Sequence, residues 1–338
     1  MSILTSQSES VRADSQIWRG YMKSAVRRLN DLLHRLELSE SPEFGALAEK
    51  KFGVFVPLPF LDRMEVGNPD DPLLKQVLPV RDEDLKLENF VDDPLDEESA
   101  FLKPGLLQKY KGRVLLITTS ACAIHCRYCF RREFSYSQTP VSLKQWQPAL
   151  DQIASDPSIE EVIFSGGDPL TMIDERLEDL VFALEKIRHL KKLRFHTRLP
   201  IMIPSRIHSR FLSLMQLTRF QKIMVIHCNH ANEIDESVQS RLKALKNAGV
   251  MLLNQSVLLK GINDRVQTLV KLSKRLLDCD VLPYYLHQLD RVHGSGHFEV
   301  DRQRGEELIG LMRSELPGYG VPKFAKEIPG EPSKTVWA

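Results

Sequence analysis

Three cysteines, Cys122, Cys126 and Cys129, are the residues of this chain with the clearest chemical potential. Three closely spaced thiolates can bind three irons of a cubane [4Fe–4S] cluster, and the fourth iron is then open to an exogenous chelator. The alternatives are a disulfide pair with a spare thiol, or a zinc site that lacks a ligand. Zinc usually takes four ligands, and the remaining cysteines, Cys228 and Cys279, have no matching spacing. The cysteines therefore favour an iron–sulfur cluster.

The spacing C-x3-C-x2-C, with Tyr128 directly before the third cysteine, resembles the radical S-adenosylmethionine (SAM) superfamily. The resemblance implies that SAM chelates the open iron and that an electron from the cluster cleaves SAM to a 5′-deoxyadenosyl radical. In that superfamily a glycine-rich turn after the next strand binds the SAM amino group, and glycine lets the backbone approach a ligand closely. The corresponding residues here are Ser165, Gly166, Gly167 and Asp168. Without the cysteine motif, this run would indicate only a strand-to-helix turn.

A short apolar strand followed by an amphipathic helix recurs from Arg113 onward. This alternation is typical of parallel βαβ units, and we predict an α/β fold with a partial (β/α)6 barrel. A doubly wound open sheet is the alternative. The predicted strands are 114–118, 161–165, 192–196, 222–227, 250–254, 281–286 and 321–325. The predicted helices are 143–155, 174–188, 206–217, 234–247, 264–277 and 301–315.

Chemically suggestive residues follow the carboxyl ends of these predicted strands. Because those ends form one face of a barrel, where barrel active sites lie, we expect the residues to converge. They are the cysteine motif, the Gly-Gly-Asp turn, Arg198, the segment 227–230, Asn254, Gln255 and Asp290.

The first hundred residues differ from the rest. Apolar residues at helical spacing predict one amphipathic helix over 15–38, and proline-rich sequence follows at 56–59 and 67–74. We therefore predict three parts. They are a helical N-terminal appendage at 1–108, the radical SAM partial barrel at 109–320 and a C-terminal segment at 321–338.

Composition limits the class of protein. The chain has 338 residues, 42% hydrophobic and 27% charged, which is enough to bury a large core. A formal net charge of +1 gives no general attraction to nucleic acid or membrane. Five cysteines do not form a disulfide framework, and an oxygen-sensitive cluster needs a reducing compartment. With no long apolar run and no secretory pattern at the N-terminus, we predict a cytoplasmic protein.

Seven segments resemble lysine 2,3-aminomutase, a radical SAM family that also uses pyridoxal 5′-phosphate (PLP). They are NPDDPLLKQVLP (68–79), CAIHCRYCFRR (122–132), SGGDPL (165–170), HCNHANEI (227–234), NQSVLLKGIND (254–264), PYYLHQLD (283–290) and PGEPSK (329–334). The chain is most similar to the short bacterial branch, which makes (R)-β-lysine for attachment to translation elongation factor P. Like that branch, it ends soon after the last of these segments.

The resemblance implies roles for individual residues. Lys334, otherwise a solvated terminal lysine, becomes the lysine that binds PLP covalently, because a lysine amine forms a reversible Schiff base with the PLP aldehyde. The implied SAM contacts are Tyr128, Ser165, Gly166, Gly167, Asp168 and His230. The implied PLP contacts besides Lys334 are Arg198, Asn254 and Gln255.

The implied substrate contacts are Arg131 for an α-carboxylate, and Asp290 with Glu327 for a distant ε-ammonium. Glu327 replaces the family's aspartate with a longer carboxylate. Because a buried carboxylate pair is unfavourable without a cation, these residues favour a positively charged substrate. The implied reaction is 1,2-amino migration from L-α-lysine to (R)-β-lysine.

The resemblance also implies protein partners. They are an electron donor such as flavodoxin or ferredoxin, and a functional link to elongation factor P and its lysyl-ligase. The alternatives are rearrangement of another amino acid, or a non-catalytic iron–sulfur partner protein.

Overall fold

The computed structural model describes residues 16–41 and 43–338, and a ten-stranded sheet forms the centre of this part of the chain. The strands are β1 (Phe101–Lys103), β2 (Leu106–Tyr110), β3 (Arg113–Ile117), β4 (Glu161–Ser165), β5 (Lys192–Thr197), β6 (Gln221–His227), β7 (Met251–Val257), β8 (Leu282–His287), β9 (Lys323–Lys326) and β10 (Thr335–Val336). Within the run from β3 to β9, each strand pairs in parallel with the next. The pairs β1–β2, β2–β3 and β9–β10 are antiparallel.

The order of the strands distinguishes the two predicted architectures. A doubly wound sheet reverses its strand order at a switch point. Here the order follows the chain from β1 to β10 without reversal, as it does when every right-handed crossover adds the next strand on the same side. In the described residues β1 and β10 are the two ends of the sheet and do not pair, so the sheet is open. The predicted partial barrel is confirmed.

Helices alternate with the parallel strands, as predicted. The helices are α1 (described over 16–23), α2 (Leu29–Arg35), α3 (Ala46–Lys51), α4 (Leu58–Leu61), α5 (Leu143–Ser155), α6 (Asp174–Glu185), α7 (Leu199–Met202), α8 (Ser209–Leu217), α9 (Glu236–Asn247), α10 (Val266–Leu277) and α11 (Arg302–Glu315). Side-chain caps start several of them, since Ser142, Asp235 and Asp301 accept backbone N–H groups at α5, α9 and α11. Phe195 of β5 and Leu184 of α6 are fully buried in one apolar core.

The predicted single helix over 15–38 was wrong. Residue 15 lies outside the described residues, and the remainder forms two helices, α1 and α2. Between them Val26 exchanges two backbone hydrogen bonds with Val56, of 2.8 and 2.9 Å. A backbone group engaged in this bridge cannot also continue a helix, and Val26 is buried by it.

Strands β1, β2 and β10 were not predicted. The first two form an antiparallel hairpin that extends the sheet from β3, and β2 spans residue 108, where the sequence placed a domain boundary. Short antiparallel strands beside a barrel carry no βα repeat, so periodicity does not reveal them. In the described part of the chain, no helix combines the length and apolar character needed to cross a membrane.

Alternation along the strands defines an inner face. In β5, Leu193 and Phe195 are buried against the helices, whereas Arg194 and His196 are half-buried on the other side. The register pairs His227 of β6 with Gln255 of β7, and Gln255 with Tyr285 of β8. Paired residues of parallel strands point to the same side, so polar side chains form a row across this inner face.

Candidate active site

The three cysteines of the motif lie in the loop that follows β3, at the carboxyl end of the sheet. All five cysteines of the chain are free thiols, so no disulfide forms. Burial and the nearby Cys126 raise the pKa of the Cys129 thiol to about 11, and burial raises that of Cys122 well above its usual value. Bound iron would reverse this effect, because its positive charge stabilises the thiolate. The donor set therefore fits a cluster.

A single metal ion has no comparable site. Among residues 16–41 and 43–338, no three or more His, Cys, Asp or Glu side chains are arranged to hold one ion. A cubane makes a different demand, because each cysteine binds a different iron. Its three thiols have to surround a space rather than meet at one point. The described residues therefore contain no group of side chains that would form the alternative zinc site.

Gly166 and Gly167 bring the end of β4 against the cysteine loop. A Cβ atom at Gly166 would lie 2.5 Å from the carbonyl oxygen of Thr119, and one at Gly167 would lie 2.4 Å from that of Ala121. Gly166 also has a φ of 123°, which favours glycine. The Gly167 amide donates to Thr119 O over 2.7 Å. The glycines thus allow close approach to the chain's own cysteine loop.

Gly167→Ala is expected to displace the cysteine loop, because the obstructing atom is backbone and cannot rotate away. We expect a loss of stability of about 1–3 kcal/mol, as for other overpacked sites, and reduced iron content after anaerobic reconstitution. Gly310→Ala in α11 is the matched control, since nothing lies within 4 Å of its added Cβ. Wild-type iron content in Gly167→Ala would contradict the assignment.

The Asp168 carboxylate joins the ends of β4 and β5. It accepts hydrogen bonds from the hydroxyl of Thr197 at 2.7 Å and from the backbone amides of Leu170, Arg198 and Leu199 at 3.0, 2.7 and 3.1 Å. These four bonds use the acceptor capacity of the buried carboxylate. Its side chain therefore holds the turn together, and its predicted contact with SAM stays a prediction.

Arg131 is held by a carboxylate that the sequence did not single out. Its guanidinium donates to Glu97 through Nε at 2.6 Å and Nη2 at 2.8 Å, and Nη1 donates to Ser165 Oγ at 2.9 Å and Gly166 O at 3.1 Å. Four of its five N–H groups are engaged, which leaves one on Nη2. Glu97 is only 2% exposed. Its neighbours along the chain are acidic loop residues, and such a run looks like an exposed loop, so the sequence did not identify Glu97 as a site residue.

Arg198 lies behind the cysteine loop. Nη1 donates to Cys126 Sγ and to Tyr128 Oη, both at 2.7 Å, and Nη2 donates to Gln76 at 2.6 Å and Glu233 at 3.0 Å. The Tyr128 hydroxyl is thereby buried in the same network. These hydrogen bonds direct both Nη atoms toward the network behind the cysteine loop. The predicted contact of Arg198 with the PLP phosphate stays a prediction.

Three further predicted cofactor contacts, Asn254, Gln255 and His230, differ in whether their side chains are free to bind a ligand. The Asn254 amide bonds to both backbone groups of Cys228, at 3.0 and 3.1 Å, and so ties β7 to β6. Gln255 points to the inner face, and its amide makes no hydrogen bond within the described residues. His230 starts a short turn and accepts the amide of Asn232 over 3.2 Å. Of the two predicted amide contacts, Gln255 is therefore the one whose side chain is available to bind a cofactor.

Lys334 reaches the inner face from near the end of the chain. Strand β10 begins at the next residue and pairs with β9, which fixes the position of Lys334. Its Nζ lies 2.9 Å from Glu327 Oε2 and 5.8 Å from the centre of the Tyr285 ring. It also lies near enough to His196 and His287 to affect their protonation.

The two predicted substrate carboxylates come together but differ in charge environment. Glu327 accepts from Lys334 and, at 2.8 Å, from Lys109. Although burial opposes ionisation, these lysines lower the pKa of Glu327 to about 2. Asp290 accepts no hydrogen bond through its carboxylate from the described residues, and burial raises its pKa to about 7. Asp290 is thus the carboxylate that forms no ion pair within the described residues, although the charge of nearby Lys334 favours its ionised form.

Three histidines that were not assigned a role lie on the inner face: His196, His227 and His287. Burial lowers the pKa of each ring well below its usual value, so the rings are neutral near pH 7. His196 Nε2 is buried without a hydrogen-bond partner in the described part of the chain. A polar group bound beside Lys334 would satisfy it, which fits a cofactor there. Strand parity could have identified these positions.

The chain is similar to one family model and to several known proteins. Residues 116–273 match the family model described as the Radical SAM superfamily. The chain is 46% identical over 331 residues to L-lysine 2,3-aminomutase of Haemophilus influenzae, covering 98% of both chains. It is 45% identical over 320 residues to that of Escherichia coli, covering 94% of this chain and 93% of the relative. For that of Clostridium subterminale the identity is 33% over 326 residues, covering 96% and 78%.

Proposed function

The chain belongs to the lysine 2,3-aminomutase family of radical SAM enzymes, and we propose that it converts L-α-lysine to (R)-β-lysine with a [4Fe–4S] cluster, SAM and PLP. The observation that carries the substrate proposal is Asp290, a half-buried carboxylate near Lys334 and Glu327 that forms no ion pair within the described residues. A buried carboxylate without a partner is unfavourable, so a cationic side chain is its natural occupant. A glutamate substrate would instead bring a third carboxylate to this pocket.

In this proposal Cys122, Cys126 and Cys129 hold the cluster, and Lys334 holds PLP. When bound, the cluster and SAM supply the radical that removes a hydrogen atom, and PLP supplies the conjugated group across which the amino group migrates. The residues themselves contribute placement, because a reactive radical attacks the nearest C–H bond. Gly166 and Gly167 contribute by fixing the cysteine loop.

Arg131 and Asp290 would bind opposite ends of lysine. The free N–H of Arg131 Nη2 is available to the α-carboxylate, and Glu97 holds the guanidinium in one orientation. The carboxylate of Asp290 would accept the ε-ammonium. Two fixed charges at the two ends select both the length and the charge of the substrate.

The value of kcat/KM for lysine is expected to fall as pH decreases through about 7. Burial raises the pKa of Asp290 from 3.8 to about 7, so the folded protein takes up this proton at a higher pH than a free chain does. Below that pH the protonated group no longer attracts an ammonium. The effect belongs in kcat/KM, because that quantity reports ionisation of the free enzyme.

Asp290→Asn should remove this acidic limb. At a pH above 7 it should lower kcat/KM roughly ten- to hundredfold, since a charge-assisted hydrogen bond is worth about 1.5–3 kcal/mol. Asp179→Asn, on the exposed surface of α6, is the control for loss of one carboxylate. An unchanged pH profile in Asp290→Asn would exclude Asp290 as the titrating group.

Product analysis tests the reaction directly. Anaerobically reconstituted protein is incubated with free L-lysine, SAM, PLP and a reductant, and the products are separated by chiral chromatography. We expect (R)-β-lysine from lysine and little product from norleucine, which lacks the ammonium and leaves Asp290 without a cation. Equal rearrangement of norleucine or glutamate would refute the cationic substrate.

We further propose that the β-lysine supplies modification of elongation factor P by its lysyl-ligase, in the cytoplasm, with flavodoxin or ferredoxin as electron donor. Similarity to the short bacterial branch supports this link, as the C. subterminale relative is a longer protein. Deleting the gene should remove the β-lysyl mass increment from elongation factor P, and added (R)-β-lysine should restore it. A normal elongation factor P mass in the deletion strain would contradict the link.

A further inference from the structure

His125, the residue before Cys126, connects the cysteine loop to the surface of the protein. Its backbone amide donates to Phe55 O over 3.0 Å, and its ring Nδ1 lies 2.8 Å from Gly53 O. The ring also stacks on Phe52, with centres 4.8 Å apart and planes inclined by 24°. Gly53 is exposed and Phe52 is half-buried, so this side of the cysteine loop lies just beneath the surface.

The surface around His125 carries cations. The Arg27 guanidinium lies 4.6 Å from the centre of the Phe55 ring, which is itself 5.5 Å from the ring of His125. Arg28 directly precedes α2, and Lys50 belongs to the last turn of α3. The exposed side chains of Arg27, Arg28 and Lys50, here called the basic surface, form no ion pair with a described residue.

The carboxylates close to the basic surface are engaged within the fold. Glu49 Oε1 accepts the backbone amide of Leu29 over 2.6 Å, so α3 contacts the start of α2 beside Arg28. Asp84 pairs with Lys51 over 2.9 Å. These two carboxylates therefore hold the surface together and leave its cations to a partner.

The local charge exceeds that of the whole chain. Residues 16–30 contain four basic residues and no carboxylate, whereas the formal net charge of all 338 residues is +1. The first carboxylate that follows is Asp31, in the first turn of α2. Arginines beside a partly exposed aromatic ring are typical of protein interfaces, and their charge selects a partner that presents carboxylates. Complexes of electron carriers are small and transient, which suits a surface of this size.

We propose that the basic surface over His125 docks an acidic one-electron carrier protein, which reduces the cluster held by the cysteine loop. The inference rests on the proposed cluster and specifies where its electron donor binds. In the step concerned, the reduced carrier loses one electron and the cluster gains it, and no atom or proton is transferred. Arg28 and Lys50 take part in this delivery and not in the later chemistry of the substrate.

The test measures docking and electron transfer separately, with an acidic flavodoxin as the probe. Titrating oxidised flavodoxin into the anaerobically reconstituted full chain gives the dissociation constant. Mixing with reduced flavodoxin gives the rate of electron transfer, followed by the flavin absorbance. In the double variant Arg28→Glu, Lys50→Glu, affinity and rate should both fall roughly ten- to hundredfold at low ionic strength. This loss should shrink at 1 M salt, where charges are screened beyond about 3 Å.

The double variant Lys243→Glu, Lys246→Glu is the matched control. Both lysines are exposed on α9, which runs from the carboxyl end of β6 to the opposite end of the sheet, and the change in net charge is the same. It should bind flavodoxin and accept its electron like the native protein. Arg28→Gln with Lys50→Gln removes the charges without reversing them and should give an intermediate loss. With dithionite in place of flavodoxin, SAM cleavage should be native in every variant.

Four outcomes would overturn the inference alone. They are native affinity and rate in Arg28→Glu, Lys50→Glu; an equal loss in the α9 control, which would assign the effect to net charge; impaired SAM cleavage with dithionite, which would assign the surface to the stability of the cysteine loop; and a native dimer that dissociates in the variant while reduction is unchanged, which would make a second copy the occupant. A native protein that cleaves no SAM with either reductant would instead overturn the proposed function, and this inference with it.

Discussion

Cys126→Ala is expected to abolish both SAM cleavage and β-lysine formation. The variant keeps two of three thiolates and leaves a second iron without a protein ligand, and three are the minimum anchor for a cubane with one open corner. Arg198 Nη1, 2.7 Å from Cys126 Sγ, would also lose a hydrogen-bond partner and remain buried. Iron content, cluster absorbance and 5′-deoxyadenosine formation should all fall to background.

Cys279→Ala is the matched control. Cys279 is fully buried in the apolar core and lies outside the cysteine loop. Its replacement should leave iron content and SAM cleavage intact at a modest loss of stability. If Cys126→Ala retained wild-type iron and deoxyadenosine formation, these cysteines would not be the anchor.

Lys334→Ala should separate the two cofactors. Its side chain contacts Glu327 near the end of the chain and makes no contact with the cysteine loop, so the cluster site stays intact. Without the amine that binds PLP, β-lysine formation should fall to background. SAM cleavage should continue as an uncoupled reaction. Chromatography of β-lysine and 5′-deoxyadenosine from the same incubation measures both.

Borohydride reduction followed by peptide mapping identifies the lysine directly. The native protein should yield a pyridoxyl group on the peptide that contains Lys334. Lys323→Ala is the control, because Lys323 lies exposed on the neighbouring strand β9. A pyridoxyl group trapped on another lysine would refute the assignment of Lys334.

The barrel could be predicted because its determinants are local. Each βα unit repeats an apolar strand and an amphipathic helix, and the helix bounds follow from capping residues such as Ser142 and Asp235. The predicted strands differ from the observed ones by no more than three residues at either end. Strands β1, β2 and β10 had no such repeat, and their pairing depends on the sheet already being present.

Site residues were harder to predict than the fold. The residues implied by the motifs do occupy the carboxyl end and inner face of the sheet, but their side chains are not equally available. Asp168 and Asn254 use their polar groups to join neighbouring strands. Asp290 and Gln255 keep theirs free of hydrogen bonds from the described residues. Residue type and spacing do not distinguish these cases.

The sequence by itself determined the donor set and the architecture: three cysteines at fixed spacing, a glycine turn and a strand–helix repeat are all encoded within short segments. Only the tertiary structure decided which charges meet. Lys109 and Glu327 are 218 positions apart, and Arg131 and Glu97 are 34 apart. The protonation of buried groups depends on such neighbours and on desolvation, and both arise only when the chain is folded.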